Sequence, residues 1–190
     1  MATIQKAEGY TVLYTTIEEE LSHVLPELQE PTLKRIFELN GCFTVNFTQE
    51  HITEGSKNLK EGLNLGLEPG AHVIIVSDFV TTMTDDEQKA IVMHEVGHIK
   101  HDHLFKISDG SAQVLNNIVD SVAMELEADQ YAVNHVGKPV MKSAIEKLIH
   151  RGADLLERIA SLSGKQFQKA EYLTEFFNNE SIKIRLNALS

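Results

Sequence analysis

Cysteine, basic charge and long apolar runs are what this chain has least of. It holds one cysteine, Cys42, which cannot close a disulfide within the chain, so no disulfide framework and no oxidising compartment are implied. Within Cys42-Phe43-Thr44-Val45 the thiol reads as a small core residue rather than a nucleophile. Lys plus Arg is 17 against 28 for Asp plus Glu, a formal net charge of 17 − 28 = −11. A surface of that sign repels phosphate backbones and anionic lipid, and no basic cluster with interleaved aromatics is present, so nucleic acid is not an expected partner. No apolar stretch approaches the roughly 18 to 20 residues that span a bilayer, and Met1-Ala2-Thr3-Ile4-Gln5-Lys6 lacks the apolar run of a signal peptide. The expectation is a cytoplasmic, soluble protein without a membrane span. Repeats, low-complexity tracts and long linkers are absent as well, and 190 residues suit a single domain with a real core.

What is present divides into a β-rich first half and a helical second half. Residues 1–9 read as loose. Residues 10–16 (YTVLYTT) are β-branched and aromatic, 43–48 (FTVNFT) alternate apolar with polar, and 72–76 (HVIIV) form a short apolar run; each reads as a strand. Helical signals occupy 17–24 and 32–39, broken by Pro26 and Pro31, and a short helix is expected near 56–61 within an otherwise glycine-bearing loop. Thr84 and Glu87 form a capping box, with Asp85 and Asp86 suited to the positive end of a helix. Val92, Val96, Ile99 and His103 then recur along one expected core stripe. After a break near 108–110, further helices are expected at 111–135 (stopped by Gly137 and Pro139), 140–162, from about 165, and 182–189.

The motif that carries chemistry is His94-Glu95-Val96-Gly97-His98, inside the capped helix. Positions i and i+4 lie on one helical face a turn apart, so both imidazoles can reach one metal ion at about 2.0 to 2.1 Å. Zinc lowers the pKa of water, and Glu95 between the two histidines is placed to take its proton as general base. Gly97 reads as a position where a neighbouring backbone comes close. A third protein ligand is required, leaving one position open. The pattern with a third histidine after a glycine is ruled out by Ile99-Lys100-His101-Asp102-His103. A glutamate from a second helix remains. In Met124-Glu125-Leu126-Glu127-Ala128-Asp129, Glu125 and Asp129 share a face, while Glu127 points about 200° from Glu125 at roughly 100° per residue. Glu125 is therefore the expected third ligand, Asp129 its supporting carboxylate through the ring N–H of His94, and Glu127 a solvated charge. His101 and His103 invite a second-metal reading but fit better as capping or supporting histidines at the helix end. An oxyanion stabiliser is needed too, and Tyr131, His135, His150, Tyr172 and Arg185 all stand in the right half of the chain without the sequence choosing among them.

The stretch from Thr84 through His103, with Glu125-Leu126-Glu127-Ala128-Asp129 after it, resembles the gluzincin zinc metallopeptidase family that includes the CAAX prenyl protease and the bacterial heat-shock protease X. Ala144-Ile145-Glu146-Lys147-Leu148 resembles that family's following helix, and Ser181-Ile182-Lys183-Ile184-Arg185-Leu186 its closing segment. The likeness covers about residues 72–189 as a zincin-like core; residues 1–71 match nothing and have no assigned role. The resemblance implies an α+β, zincin-like fold: a small twisted sheet, an active-site helix and a mainly helical C-terminal part. It implies one Zn2+ per chain on His94, His98 and Glu125, and a polypeptide substrate hydrolysed as by an endopeptidase. It also implies that Val73, Ile74, Ile75 and Val76 form a sheet edge on which an extended peptide pairs. The membrane members of the family carry transmembrane helices, which this chain lacks. The competing reading is a non-catalytic or latent metal-binding interaction module. Glu95 separates the two, because a purely structural site needs no base between its histidines.

Overall fold

The computed structural model describes residues 4–15, 42–46, 72–103, 118–162 and 180–190. The helices expected at 17–24, 32–39, 56–61 and from about 165, and the break near 108–110, lie outside these residues.

Four strands form one mixed sheet: β1 (Ile4–Ala7), β2 (Tyr10–Thr15), β3 (Cys42–Asn46) and β4 (His72–Ser77), in the order β1-β2-β4-β3. Residues 4–9, expected to be loose, are therefore ordered into a strand and a turn. β1 pairs antiparallel with β2, with Ala7 opposite Tyr10 across a two-residue turn. Both turn residues have positive φ, Glu8 at 48° and Gly9 at 89°, the handedness that matches the twist of a hairpin. Glu is an uncommon residue in that conformation, which is why the sequence gives little warning of the turn.

β4 runs parallel to β2 (Val12 opposite Ile74) and antiparallel to β3 (Thr44 opposite Ile74). Both of its edges are therefore occupied. This overturns the expectation that Val73, Ile74, Ile75 and Val76 offer an open edge to a peptide. The apolar run His72-Val73-Ile74-Ile75-Val76 is that of an inner strand; Ile74 and Val76 are fully buried. The N-terminal part of the chain thus supplies three of the sheet's four strands, and β1 and β3 are its outer strands.

A 3-10 turn (Asp78–Thr82), capped by Ser77, leads into α1 (Asp85–Lys100). Then come α2 (Ile118–Val136), α3 (Lys138–Leu162) and α4 (Glu180–Ala188). Gly137, at φ 84°, takes the left-handed conformation between α2 and α3, where glycine carries no Cβ penalty. α1 is the centre of the fold, packing against β3 and β4 as well as α2 and α3. It does not expose one face as an amphipathic stripe implies: every residue from Ala90 to Gly97 is buried. The core gathers Val12, Ile74, Val76, Val80, Ile91, Val96, Met141 and Ile145 around it.

The capping box has a second use. Glu87 is buried, and its carboxylate accepts from the Thr84 N–H and hydroxyl (both 2.9 Å) and from Ser143 Oγ (2.7 Å) and Lys147 Nζ (2.6 Å) on α3. Burial pushes its pKa up, but these donors outweigh it and hold the group at about 2. The ionised form thus starts α1 and ties it to α3. Because the folded pKa is depressed, this stabilisation is fully present above the ordinary value of 4.5 and fades as pH falls toward about 2. Lys147 is partly exposed, so solvent screens the pair. Glu87→Gln is expected to cost about 1–2 kcal/mol at pH 7 and much less near pH 2.5, read from urea unfolding at the two pH values. An equal cost at both would show that the charge is not what matters.

Candidate metal centre

α1 and α2 approach closely at Gly97. A Cβ built there would lie 2.9 Å from the Cα of Ala128, 3.0 Å from the Cβ of Tyr131 and 3.2 Å from the Ala128 carbonyl oxygen. Any larger residue would push the helices apart. Ala128 and Ala132, both fully buried, complete the small-residue contact from the α2 side.

This contact brings the expected ligands together. His94 Nε2 and His98 Nε2 are 3.1 Å apart, and each lies 3.4 Å from a carboxylate oxygen of Glu125 on α2. Three donors at 2.0 to 2.1 Å from a tetrahedral ion stand about 3.3 Å apart. Glu125 turns Oε2 toward His94 and Oε1 toward His98, and the donor set of two imidazoles and one carboxylate, with ligand atoms within 4.8 Å of one another, fits zinc in type. Among the described residues, His94, His98 and Glu125 are the one group of three or more His, Cys, Asp or Glu whose ligand atoms lie this close together. His101, His103 and Glu127 form no second such group. Glu95 is buried beside the ligands.

Asp129 stands behind His94, its Oδ1 2.8 Å from His94 Nδ1. The contact is short but out of line with the ring N–H, and Nδ1 makes no regular hydrogen bond. Asp129 is itself clamped from α4. Arg185 donates through Nε to Oδ2 and through Nη2 to Oδ1, both at 2.7 Å, a two-pronged pairing suited to the planar guanidinium. Its remaining nitrogen, Nη1, reaches Glu125 Oε2 at 2.6 Å. Arg185 therefore holds Glu125 and the carboxylate behind His94 at once, and it interacts with Glu95 as well. Among the oxyanion candidates, Arg185 is thus committed to two carboxylates. Tyr131 donates to Glu8 Oε2 at 2.8 Å, and His135 lies against Tyr131 O and Glu8. His150 is exposed on α3, and Tyr172 lies outside the described residues.

These contacts set the charges. Burial alone would depress His94, but Asp129 and Glu125 outweigh it and raise its pKa to about 9. Burial would raise Glu125, yet Arg185, followed by His94 and His98, holds it well below the usual carboxylate range. Asp129 is likewise lowered, by His94 and Arg185 against its burial.

Two features were not legible in the sequence. Glu127 is not merely solvated: its Oε2 lies 2.9 Å from His103 Nε2. His103 is buried, and its Nδ1 is 2.8 Å from Nδ1 of His98. Helical periodicity sets Glu127 about 200° from Glu125 but carries no sign of a histidine returning to meet it.

The family model of Peptidase family M48 matches residues 63–122. That stretch takes in β4 and all of α1, is less than half of the chain, and stops before Glu125. The likeness supports a metallopeptidase family and metal-dependent proteolysis. No curated protein and no solved structure matches the chain.

Two outcomes follow from the electrostatics. In the metal-free chain at pH 7, His94 is protonated, so an ion taken up by its Nε2 must displace that proton. Zinc uptake is expected to release about one proton at pH 7 and fewer as pH rises through about 9. Titration calorimetry in buffers of different ionisation enthalpy reads this directly, and uptake without release would contradict it. Arg185→Met removes the guanidinium that the buried Asp129 and its neighbour Glu125 share. The expected loss is about 3–5 kcal/mol in denaturant unfolding of metal-free protein; a loss under about 1 kcal/mol would show the clamp to be dispensable.

Proposed function

We propose that the chain is a zinc-dependent endopeptidase, a minimal relative of the gluzincin family of the CAAX prenyl protease and heat-shock protease X, with a zincin-like fold and a single metallopeptidase domain over residues 1–190. The observation that carries this is the grouping of ligand atoms of His94, His98 and Glu125 within 4.8 Å of one another, with Glu95 buried beside them. The match to Peptidase family M48 over 63–122 supports it independently. Pairing of β2 and β3 with β4, and of β1 with β2, supports one domain, since the N-terminal strands and the motif helix share a core.

In this reading His94, His98 and Glu125 hold one zinc ion per chain. When bound, zinc supplies Lewis acidity at the scissile carbonyl and makes water more acidic. Glu95 takes a proton from the attacking water as its oxygen bonds to the carbonyl carbon. It then delivers that proton to the amide nitrogen as the C–N bond breaks, leaving a carboxylic acid and an amine. Asp129 orients His94, and Arg185 keeps Glu125 and Asp129 ionised and in place. The substrate is a polypeptide. No helix among the described residues is long and apolar enough to cross a membrane.

Purified protein is expected to contain one zinc per chain and to cleave unfolded polypeptide. Glu95→Gln should keep the zinc and lose at least about 100-fold in turnover, in line with the usual weight of a general base. His94→Ala, His98→Ala and Glu125→Ala should lose the zinc. Metal content by atomic spectroscopy beside peptide cleavage decides it, and Glu95→Gln with wild-type turnover would end the proposal.

A further inference from the structure

α1 ends at Lys100, and the chain then turns sharply. The His101 N–H donates to Gly97 O at 3.0 Å, the Asp102 N–H to Ile99 O at 3.1 Å, and Asp102 adopts φ 55°. On a continuous helix a residue five positions on sits about 140° around the axis, so His103 could not face His98. The left-handed Asp102 reverses the chain and returns His103 beneath His98, where its ring is 1% exposed. Aspartate is one of the few residues other than glycine that accept this conformation readily.

The result is a row of contacts: His98 Nδ1 to His103 Nδ1 at 2.8 Å, and His103 Nε2 to Glu127 Oε2 at 2.9 Å. His101 stacks on His103 with rings 5.5 Å apart. With one proton on each ring, the donor directions in this row follow from its outer end. A carboxylate only accepts, so His103 carries its proton on Nε2. Its Nδ1 is then an acceptor, so His98 carries its proton on Nδ1. That puts the lone pair of His98 on Nε2, the atom facing His94 and Glu125. Every link in the row is then a hydrogen bond.

We infer that His103 and Glu127 are positioning residues that lock His98 into the metal-binding tautomer and ring orientation. The two histidine ligands are thereby held by separate carboxylates: Asp129, tied down by α4, for His94, and Glu127, through His103, for His98. This inference rests on the metal-centre reading, since it assigns the residues that prepare His98 for that ion. Such supporting partners typically weigh 10- to 100-fold in metal affinity.

The test uses the full chain and zinc alone, with affinity from chelator competition and tautomers from 15N chemical shifts of labelled imidazoles. In wild-type protein, His98 should carry its proton on Nδ1 and His103 on Nε2. His103→Leu should weaken zinc binding about 10- to 100-fold. His103→Asn, whose amide oxygen can stand where Nδ1 stands, should recover most of that loss; a residue needed only for packing would gain nothing from it. Because Glu127 is exposed, its variants should fold. Glu127→Lys offers only donors and would reverse the row, putting a proton on His98 Nε2, so it should weaken binding far more than Glu127→Gln, which can still accept. His101→Lys, adding a similar charge nearby, should weaken binding far less than Glu127→Lys. A His103 proton on Nδ1, wild-type affinity in His103→Leu, or equal losses in Glu127→Lys and His101→Lys would each overturn the inference. Wild-type protein that binds no zinc would overturn the metal-centre reading and this inference together.

Discussion

The close approach of α1 to α2 at Gly97 is the constraint on which the site depends. With no side chain at Gly97, the backbone at Ala128 comes near enough that an added Cβ would sit 2.9 Å from its Cα. That distance sets how far Glu125 on α2 stands from the imidazoles on α1. Glu125 precedes Ala128 by three residues and Asp129 follows it by one, so both carboxylates flank the contact point. A wider helix spacing would carry Glu125 away from His94 and His98. Interiors are close-packed and do not deform continuously, so one methyl group at Gly97 is enough to disturb the centre.

Around that contact the charges interlock. Three acidic residues, Glu95, Glu125 and Asp129, stand near one guanidinium and two imidazoles. Left unpaired, buried carboxylates would neutralise or unfold the site. Arg185 prevents this from α4, a helix more than fifty positions away in sequence from the carboxylates it touches. Glu87 plays an equivalent part at the start of α1, where it ties the helix to Ser143 and Lys147 on α3. The motif helix is thus held at its acidic beginning, at its glycine and, through His103, just beyond its end.

The sheet serves as the floor for this helix rather than as an open platform. β4 lies inside it, and an extended peptide could add only to β1 or β3 among the described strands. The reading of 72–76 as an edge failed because a short apolar run looks the same whether one or both of its edges are paired; burial of Ile74 and Val76 follows in either case. The hairpin of β1 and β2 was missed for a related reason. Its turn uses Glu8 and Gly9 instead of the Asn-Gly or Asp-Gly pair that announces such turns, and Gln5 and Lys6 hide the alternation in β1.

The sequence by itself determined the local chemistry: the capped start of α1, the i, i+4 imidazoles with Glu95 between them, the choice of Glu125 and Asp129 as partners on one face, and the need for glycine at 97. These are properties of helical periodicity and of side-chain type, and both are written in consecutive residues. Tertiary structure decided the rest. It made β4 an inner strand, turned Arg185 from a candidate for substrate chemistry into a clamp on two carboxylates, and joined Glu127 to His98 through His103. Each of these depends on a direction change or a pairing between distant segments. The left-handed turn at Asp102, the register of β4 against β2 and β3, and the docking of α4 on α2 bring together groups whose spacing along the chain carries no period, so no local pattern could announce them.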